Sequence, residues 1–498
     1  MNRIDNDLLS VQEARILVEN AREAQKILAT FPQENLDKIV GRMAEEVYKY
    51  AKELAIMSYE ETGFGKWQDK FVKNVFASAF LYKRMKDMKV VGIIGEDEEN
   101  KIIEIGVPVG VIVALLPSTN PTSTTIYKTL IAIKSGNAIV FSPHPKAKKT
   151  IAKVLEILIR TAEESGLPCG AIGYLRTQAH DGTLALMNHK DTSMILVTGV
   201  PKMVKAAYTS GKSTIYGGPG NGPTFIERSA NIKKAVTDII LSRTFDNGIV
   251  SASEQSIVAE ECIADEVRRE FRENGAYFMS GQESEKLSQF FFRPDDSINP
   301  ELVGKTAIQL AQKIGMSVPA NTKVLISEQK YVSLSNPYSR EKLCPVLAFY
   351  VEKDWKYACE KCIELLVNEG RGHTLVIHST NEQVIREFAL KKPVSRVLVN
   401  TPATLGGIGA TTNLFPALTL GCGAAGGGIT SDNVTPRNFV NIRKVGYGVR
   451  SLEDVTKEIQ GRGVDETRVT SSSDNRCSVE SIEDLTELLK KLMEKLAL

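Results

Sequence analysis

The residues of this chain best suited to chemistry lie in one short run, FDNGIVSASEQ, from Phe245 to Gln255. Asp246-Asn247-Gly248 is a turn signal, and the period-2 run Gln255 to Val258 behind it reads as a strand. A chain that doubles back this tightly presents a small polar side chain at its tip, and Ser251 takes that place. A nucleophile there is unhindered and fixed by a glycine turn. A thiol of pKa roughly 8.5 supplies usable thiolate near neutrality, whereas a hydroxyl needs an adjacent base, usually histidine. None of the five histidines (His144, His180, His189, His373, His378) is near Ser251 in sequence.

Other runs bear on phosphate and glycine chemistry. Thr198-Gly199-Val200 closes a strand-like stretch and leads into the helix Lys202 to Tyr208, whose first N–H groups suit a phosphate. SGKS (Ser210 to Ser213) resembles the end of a P-loop, but the first glycine of that motif would fall on Ala206. GGPGNGP, from Gly217, precedes the strand-like TFIE rather than a helix, so it is not the usual dinucleotide fingerprint. GCGAAGGGIT (421–430) is dense enough in glycine for close backbone approach to a ligand.

FDNGIVSASEQ resembles FDNGxxCASEQ, the active-site signature of CoA-acylating aldehyde dehydrogenases, and differs from it at the catalytic cysteine, here Ser251. The resemblance covers roughly residues 5 to 450 and implies an α/β aldehyde dehydrogenase fold with NAD and coenzyme A as cofactors. It places Asn120, in PSTNP, as the oxyanion donor and His373, in GRGHT, near the CoA thiol, where its ordinary pKa range suits proton handling. Glu341, in EKLCP, aligns with the glutamate that holds the nicotinamide ribose. Ser142-Pro143-His144-Pro145 lines an adenosine site shared in turn by NAD and CoA, and Thr198, Gly199, Val200, Gly217 and Gly218 complete the cofactor set. Gly217 stands about where hydrolytic relatives carry the glutamate that activates water, which favours acyl transfer to CoA over acid formation. No alcohol dehydrogenase domain follows, so the bifunctional fusion is not expected. Acetaldehyde or propionaldehyde is the implied substrate, with sulfoacetaldehyde as an alternative. Ser251 makes the chain an inactive Cys-to-Ser form, engineered to keep the site intact but inert, or else a non-catalytic, cofactor-binding scaffold paralogue.

The elements that must position these residues follow from periodicity. Helical patterns run over Val11 to Leu28, Asn35 to Ile56 and Lys66 to Met85. Lys89–Ile94 and Lys101–Val107 form a hairpin about the acidic tip GEDEEN, and Phe439 to Val449 is a last β-rich run. From Val107 strands alternate with helices, which argues for two Rossmann-like parallel-sheet units. The expected domains are 1–231 for NAD and CoA, with the hairpin at about 88–107, and 232–431 for catalysis. A return segment and strand at 432–455, a linker at 456–477 and an amphipathic helix at 478–498 complete the chain. In the family the hairpin and the last strand pair between subunits, which implies a homodimer or homotetramer.

Composition bounds the partners. The 62 basic and 60 acidic residues nearly cancel, against nucleic acid. There is no signal peptide and no apolar run long enough for a bilayer, so the chain reads as cytoplasmic. Seven cysteines, including Cys359 and Cys362 as C-x-x-C, read as a reduced set rather than a disulfide or metal framework. Residues 478–498 carry one stripe, Val479, Ile482, Leu485, Leu489, Leu492 and Leu496, behind a Ser-rich tether. That helix resembles the encapsulation peptides that take cargo into bacterial microcompartments, with shell or cargo proteins as partners. Docking on its own subunit and a coiled coil are the other readings.

Overall fold

The computed structural model describes residues 5–199 and 201–461. Val200 and the expected targeting helix 478–498 lie outside the described residues, as does most of the expected linker.

The chain opens with α1 (Asn6–Leu28), whose first turn is capped by the Asp5 carboxylate accepting from the N–H groups of Asp7 and Leu8. Its buried stripe, Ala14, Val18, Ala21 and Leu28, follows the 3.6-residue period. The helix expected over Asn35 to Ile56 is two, α2 (Gln33–Lys49) and α3 (Ala51–Thr62), parted where Tyr50 leaves helical geometry. The next is interrupted as well: α4 (Trp67–Val75) passes through a π turn, Phe76–Phe80, into α5 (Leu81–Met85). Apolar periodicity alone registers neither break, because the buried face continues across both.

β1 (Gly92–Asp97) and β2 (Ile102–Pro108) form the hairpin. The first α/β unit follows with β3 (Val111–Leu115), α6 (Pro121–Lys134), β4 (Ala138–Ser142), α7 (Lys148–Glu164), β5 (Ile172–Tyr174), α8 (His180–Asn188), β6 (Thr192–Thr198), α9 (Pro201–Thr209) and β7 (Ser213–Gly217). Its strands are all parallel in the order β5-β4-β3-β6-β7. The chain reverses its direction of travel between β3 and β6, so a crevice opens beyond their carboxyl ends.

The second sheet uses β8 (Gly222–Ile226), α10 (Ile232–Thr244), β9 (Glu254–Glu260), α11 (Ala264–Glu273), β10 (Ala276–Phe278), α12 (Gly281–Ser288), α13 (Ala307–Lys313) and β11 (Val324–Glu328). It continues with β12 (Val346–Glu352), α14 (Trp355–Asn368), β13 (Gly372–His378), α15 (Glu382–Leu390), β14 (Val394–Val399) and α16 (Ala403–Gly407). The parallel order is β10-β11-β12-β9-β8-β13-β14. Because β8 pairs with β9 and β13, the second unit begins before Gly222 and not at 232. A run such as TFIE announces a strand but carries no mark of which sheet it joins.

β15 (Val440–Gly446) lies beside β2 in a three-stranded sheet of order β1-β2-β15. A small separate unit holds residues 97–102 and, within the described chain, 445–461. In it α17 (Leu452–Gly461) occupies the first six residues expected as linker, started by Ser451, whose N–H and hydroxyl both donate to Asp454. Among the described residues no helix is long and apolar enough to cross a membrane.

Candidate active site

The FDNG turn uses the left-handed region, which Asp, Asn and Gly enter more readily than other residues. Asp246 (φ 48°, ψ 34°) and Asn247 (φ 53°, ψ 39°) are both left-handed, followed by Gly248 at φ 74°. Asp and Asn bear less of the usual left-handed penalty than other residues, yet two in succession still cost on the order of 1 kcal/mol each. Compensation comes from hydrogen bonds. The Asp246 carboxylate, fully buried, accepts from the Lys66 N–H at 2.6 Å, from Lys70 Nζ at 3.1 Å and from Lys73 Nζ. Its own N–H donates to Asp69 at 2.7 Å, and Asn247 Nδ2 donates to the Gly304 carbonyl at 2.8 Å. Gly65 makes room, since a Cβ there would lie 1.9 Å from the Asp246 carboxylate.

Two buried ammoniums therefore face one buried carboxylate. Burial works against the charge on Asp246, yet Lys73 and Lys70 hold its carboxyl below the usual aspartate range. Burial brings Lys70 down to about 8 against the pull of Asp246. The excess positive charge sits at the base of the turn that carries Ser251.

Asn120 is tied to the same cluster. It is the N-terminal boundary residue of α6, with Pro121 at the first helical position. Its Oδ1 accepts from Lys73 Nζ, and Lys70 Nζ donates to the neighbouring Thr119 carbonyl at 2.9 Å. With Oδ1 committed to an ammonium, the amide N–H₂ is the group left to donate; its one other contact is a long 3.4 Å approach to Thr119 Oγ1. One lysine thus connects the amide of Asn120 to the turn that presents position 251.

Ser251 is half-buried in the turn between Gly248 and β9. Among the described residues no side chain, and no histidine ring, hydrogen-bonds its hydroxyl. The neighbour on its other side is Gly220, where a Cβ would fall 1.7 Å from the Ser251 carbonyl oxygen. Gly220 N–H donates to Glu341 at 3.0 Å, which brings one carboxyl to this edge of the site. Burial, with the Glu369 carboxylate, raises Glu341 to about 7. Behind it Arg243, fully buried, donates to Ser253 and Gln255 and holds the SASEQ segment.

The expected cofactor residues divide into two groups. At the carboxyl edge of the first sheet Ser142 is level with Val197 through Leu115, and Thr198 pairs with Gly217 one residue further on. Pro143 is buried, half-buried His144 starts a short 3₁₀ turn at Pro145 by accepting the Lys146 N–H, and Gly199 is exposed at φ 108°. Thr198 Oγ1 is buried there without a hydrogen-bond partner, the condition of a hydroxyl that a ligand satisfies. Ser142 is already engaged with Thr183 at 2.8 Å. This edge at the sheet's switch point fits a dinucleotide.

The second group meets at Cys422. Its sulfur accepts from Gly218 N–H at 3.1 Å, and a Cβ on Gly372, the residue before His373, would lie 1.8 Å from its carbonyl oxygen. His373 therefore stands beside the glycine loop, but not as a titrating group. It is 1% exposed, its Nδ1 is 3.0 Å from Thr374 Oγ1, and burial together with Arg396 lowers it to about 3. At that depth the ring favours its neutral form. Its Nε2 is buried and unpartnered.

Lys70 and Lys73 join this cluster through Asp246, although nothing in the sequence assigned a role to either. The available signal was the pair of lysines three apart on α4, which ordinarily reads as a solvated face.

Residues 7–290 match the aldehyde dehydrogenase family. The bifunctional aldehyde-alcohol dehydrogenase AdhE of Escherichia coli K12 is 42% identical over 441 residues, 88% of this chain and 49% of that protein. The chain thus spans about half the length of the aldehyde-alcohol dehydrogenases it matches. A probable aldehyde dehydrogenase from Listeria monocytogenes EGD-e superposes with a TM-score of 0.89 at 55% identity, over 91% of this chain and 100% of that one. An acetylating aldehyde dehydrogenase from Geobacillus thermoglucosidasius does so with a TM-score of 0.87 at 47% identity, over 90% and 99%. With residues 7–290 matched and two parallel α/β sheets in place, the chain belongs to the aldehyde dehydrogenase family.

Proposed function

We propose that this chain carries the site of a CoA-acylating aldehyde dehydrogenase, converting a short-chain aldehyde, CoA and NAD to acyl-CoA and NADH, and that Ser251 leaves it without turnover. The observation that carries this reading is the shared anchor: Asp246 holds the turn bearing position 251, and through Lys73 the same carboxylate orients the amide of Asn120. A sulfur at 251 would add to the aldehyde carbon, and Asn120 N–H₂ would donate to the oxygen as it becomes an oxyanion, a contact worth about 3 kcal/mol of barrier. When bound, NAD supplies hydride acceptance and CoA supplies the acyl acceptor. Thr198, with Ser142, Pro143, His144, Pro145, Gly199, Val200, Gly217 and Gly218, would hold the nucleotide, and Glu341 the nicotinamide ribose. Neutral His373 would accept a hydrogen bond there but gain no charge.

Acetaldehyde and propionaldehyde are the substrates proposed, in keeping with the acetylating relative, and sulfoacetaldehyde the alternative. A homodimer or homotetramer built through the hairpin and β15, and a place in a bacterial microcompartment through residues 478–498, complete the reading. The second reading is a non-catalytic scaffold subunit, favoured by the absence, among the described residues, of any base on Ser251 Oγ.

Ser251→Cys tests these together. With aldehyde and NAD alone the variant should give a burst of about one NADH per subunit, and with CoA added it should turn over and form acyl-CoA. No NADH under either condition favours the scaffold. Steady turnover without CoA, yielding free acid, would instead make Glu341, near 7 and joined to Gly220, the activator of water.

A further inference from the structure

The C-x-x-C of α14 has no part in that site, yet the fold brings a third group to it. Cys359 and Cys362 lie one helical turn apart on the buried face of α14, and both are essentially inaccessible. Lys392, in the turn between α15 and β14, places its Nζ against Cys359 Sγ and 3.7 Å from the centre of the Phe388 ring. Lys392 is itself 8% exposed, and among the described residues no carboxylate lies within ion-pair distance of it. A nearly buried ammonium ordinarily finds an anion or a set of carbonyls. Here its polar neighbour is the sulfur of Cys359.

We propose that Cys359 and Lys392 form a redox modification site, at which a small peroxide joins Sγ to Nζ as a sulfenamide. In the first step the Cys359 thiolate attacks one peroxide oxygen. The S–O bond forms, the O–O bond breaks, and the departing hydroxide takes a proton from the Lys392 ammonium to leave as water. Sulfur is oxidised by two electrons and the peroxide is reduced, leaving Cys–SOH beside a neutral amine. In the second step the Nζ lone pair attacks that sulfur, the S–O bond breaks, and a second water departs. The sum is RSH + R′NH₂ + H₂O₂ → RS–NHR′ + 2 H₂O. A thiol reverses it by attack on sulfur, returning the amine and then, with a second thiol, the cysteine. Cys362 is the competing resolver, but burial raises its thiol, so it is the poorer nucleophile of the two. The link would clamp α14 to the turn before β14, where the Pro393 carbonyl receives the Gly372 N–H that begins β13.

Peptide mapping of the full chain after hydrogen peroxide, without reductant, reads this directly. Trypsin should release residues 357–361 joined to 392–396, lighter than the two peptides by two hydrogens, and dithiothreitol should separate them. Cys359→Ser and Lys392→Arg should each abolish the joined species, while the wild-type map stands whether or not the variants fold. Exposed Cys169 and Cys262 report that oxidant was sufficient. If those two are oxidised while 357–361 stays unmodified, or is joined to 362–371 as a disulfide, the proposal is overturned.

Discussion

Replacing Lys73 by methionine, in the Ser251→Cys background, separates the orientation of Asn120 from the stability of the site. In the native arrangement Asn120 Oδ1 and the Asp246 carboxylate both face the same ammonium. Without that ammonium two oxygens would confront each other across the space it filled. The amide relieves this by rotating half a turn, so that its N–H₂ donates to Asp246 and its oxygen faces the reaction. The oxyanion then meets an acceptor, and the full donor contribution of about 3 kcal/mol, on the order of 10²-fold in kcat, is lost. KM should change little, because the contact is made in the transition state. Stability should also change little. Lys70, Lys73 and Asp246 are two positive charges and one negative, so the variant leaves a balanced Lys70–Asp246 pair at 3.1 Å. Asp246→Asn is the contrast: it strands two buried ammoniums and should cost about 3–5 kcal/mol.

The assay is NADH formation with aldehyde, NAD and CoA for Lys73→Met, Asn120→Ala and the double variant, beside thermal unfolding of each. If Lys73 acts through Asn120, the double variant is no slower than Asn120→Ala, since the lysine then has nothing left to orient. Full kcat in Lys73→Met, or single losses that multiply in the double variant, would refute the argument.

Three further outcomes follow from other parts of the site and chain. Gly220→Ala places a methyl 1.7 Å from the Ser251 carbonyl oxygen, so it should displace the turn, cost about 1–3 kcal/mol of stability and abolish activity in the Ser251→Cys background; retained activity would show that the two loop segments can part. Glu254 is 1% exposed and raised by burial to about 7, above its ordinary 4.5, so the folded state favours its protonated form and loses stability as pH rises from about 4.5 to 7. Glu254→Gln should remove that part of the slope, on the order of 3 kcal/mol between pH 4.5 and 8, in denaturant titrations at both pH values. Removing residues 466–498 should leave the melting temperature within a few degrees while ending co-assembly with microcompartment shell proteins, and unchanged co-assembly would set the targeting reading aside.

The α/β alternation from Val111 onward was legible because a strand buried on both faces must be continuously apolar. Val111–Leu115 and Ala138–Ser142 have no exposed residue. What lay beyond reach was partnership. Nothing in Gly222–Ile226 distinguishes a last strand of the first sheet from a central strand of the second, because register is set by contacts more than thirty residues away. The π turn at Phe76–Phe80 was hidden for a related reason, since one added residue per turn rotates the apolar face without interrupting it. His373 shows the limit for chemistry. Its place beside the glycine loop was reachable by resemblance, but its loss of basicity depends on burial and on Arg396 from β14.

The lysines of α4 carry the same lesson to the centre of the site. A helix written WQDKFVKNV reads as amphipathic with solvated lysines, and Lys66 with Asp69 at the rim fits that reading. Lys70 and Lys73 do not, because the position that buries them is decided by Asp246, over 170 residues later and in a backbone conformation that aspartate seldom adopts. The strain at Asp246 and the burial of the lysines are therefore one fact described from two ends. Neither would persist without the other, since an unpaired ammonium at that depth costs more than the two left-handed residues together. A cluster so arranged cannot be assembled by degrees: the turn, the helix and the amide of Asn120 must be in place at once. The surroundings of position 251 should accordingly keep their shape when the side chain there is changed from serine to cysteine.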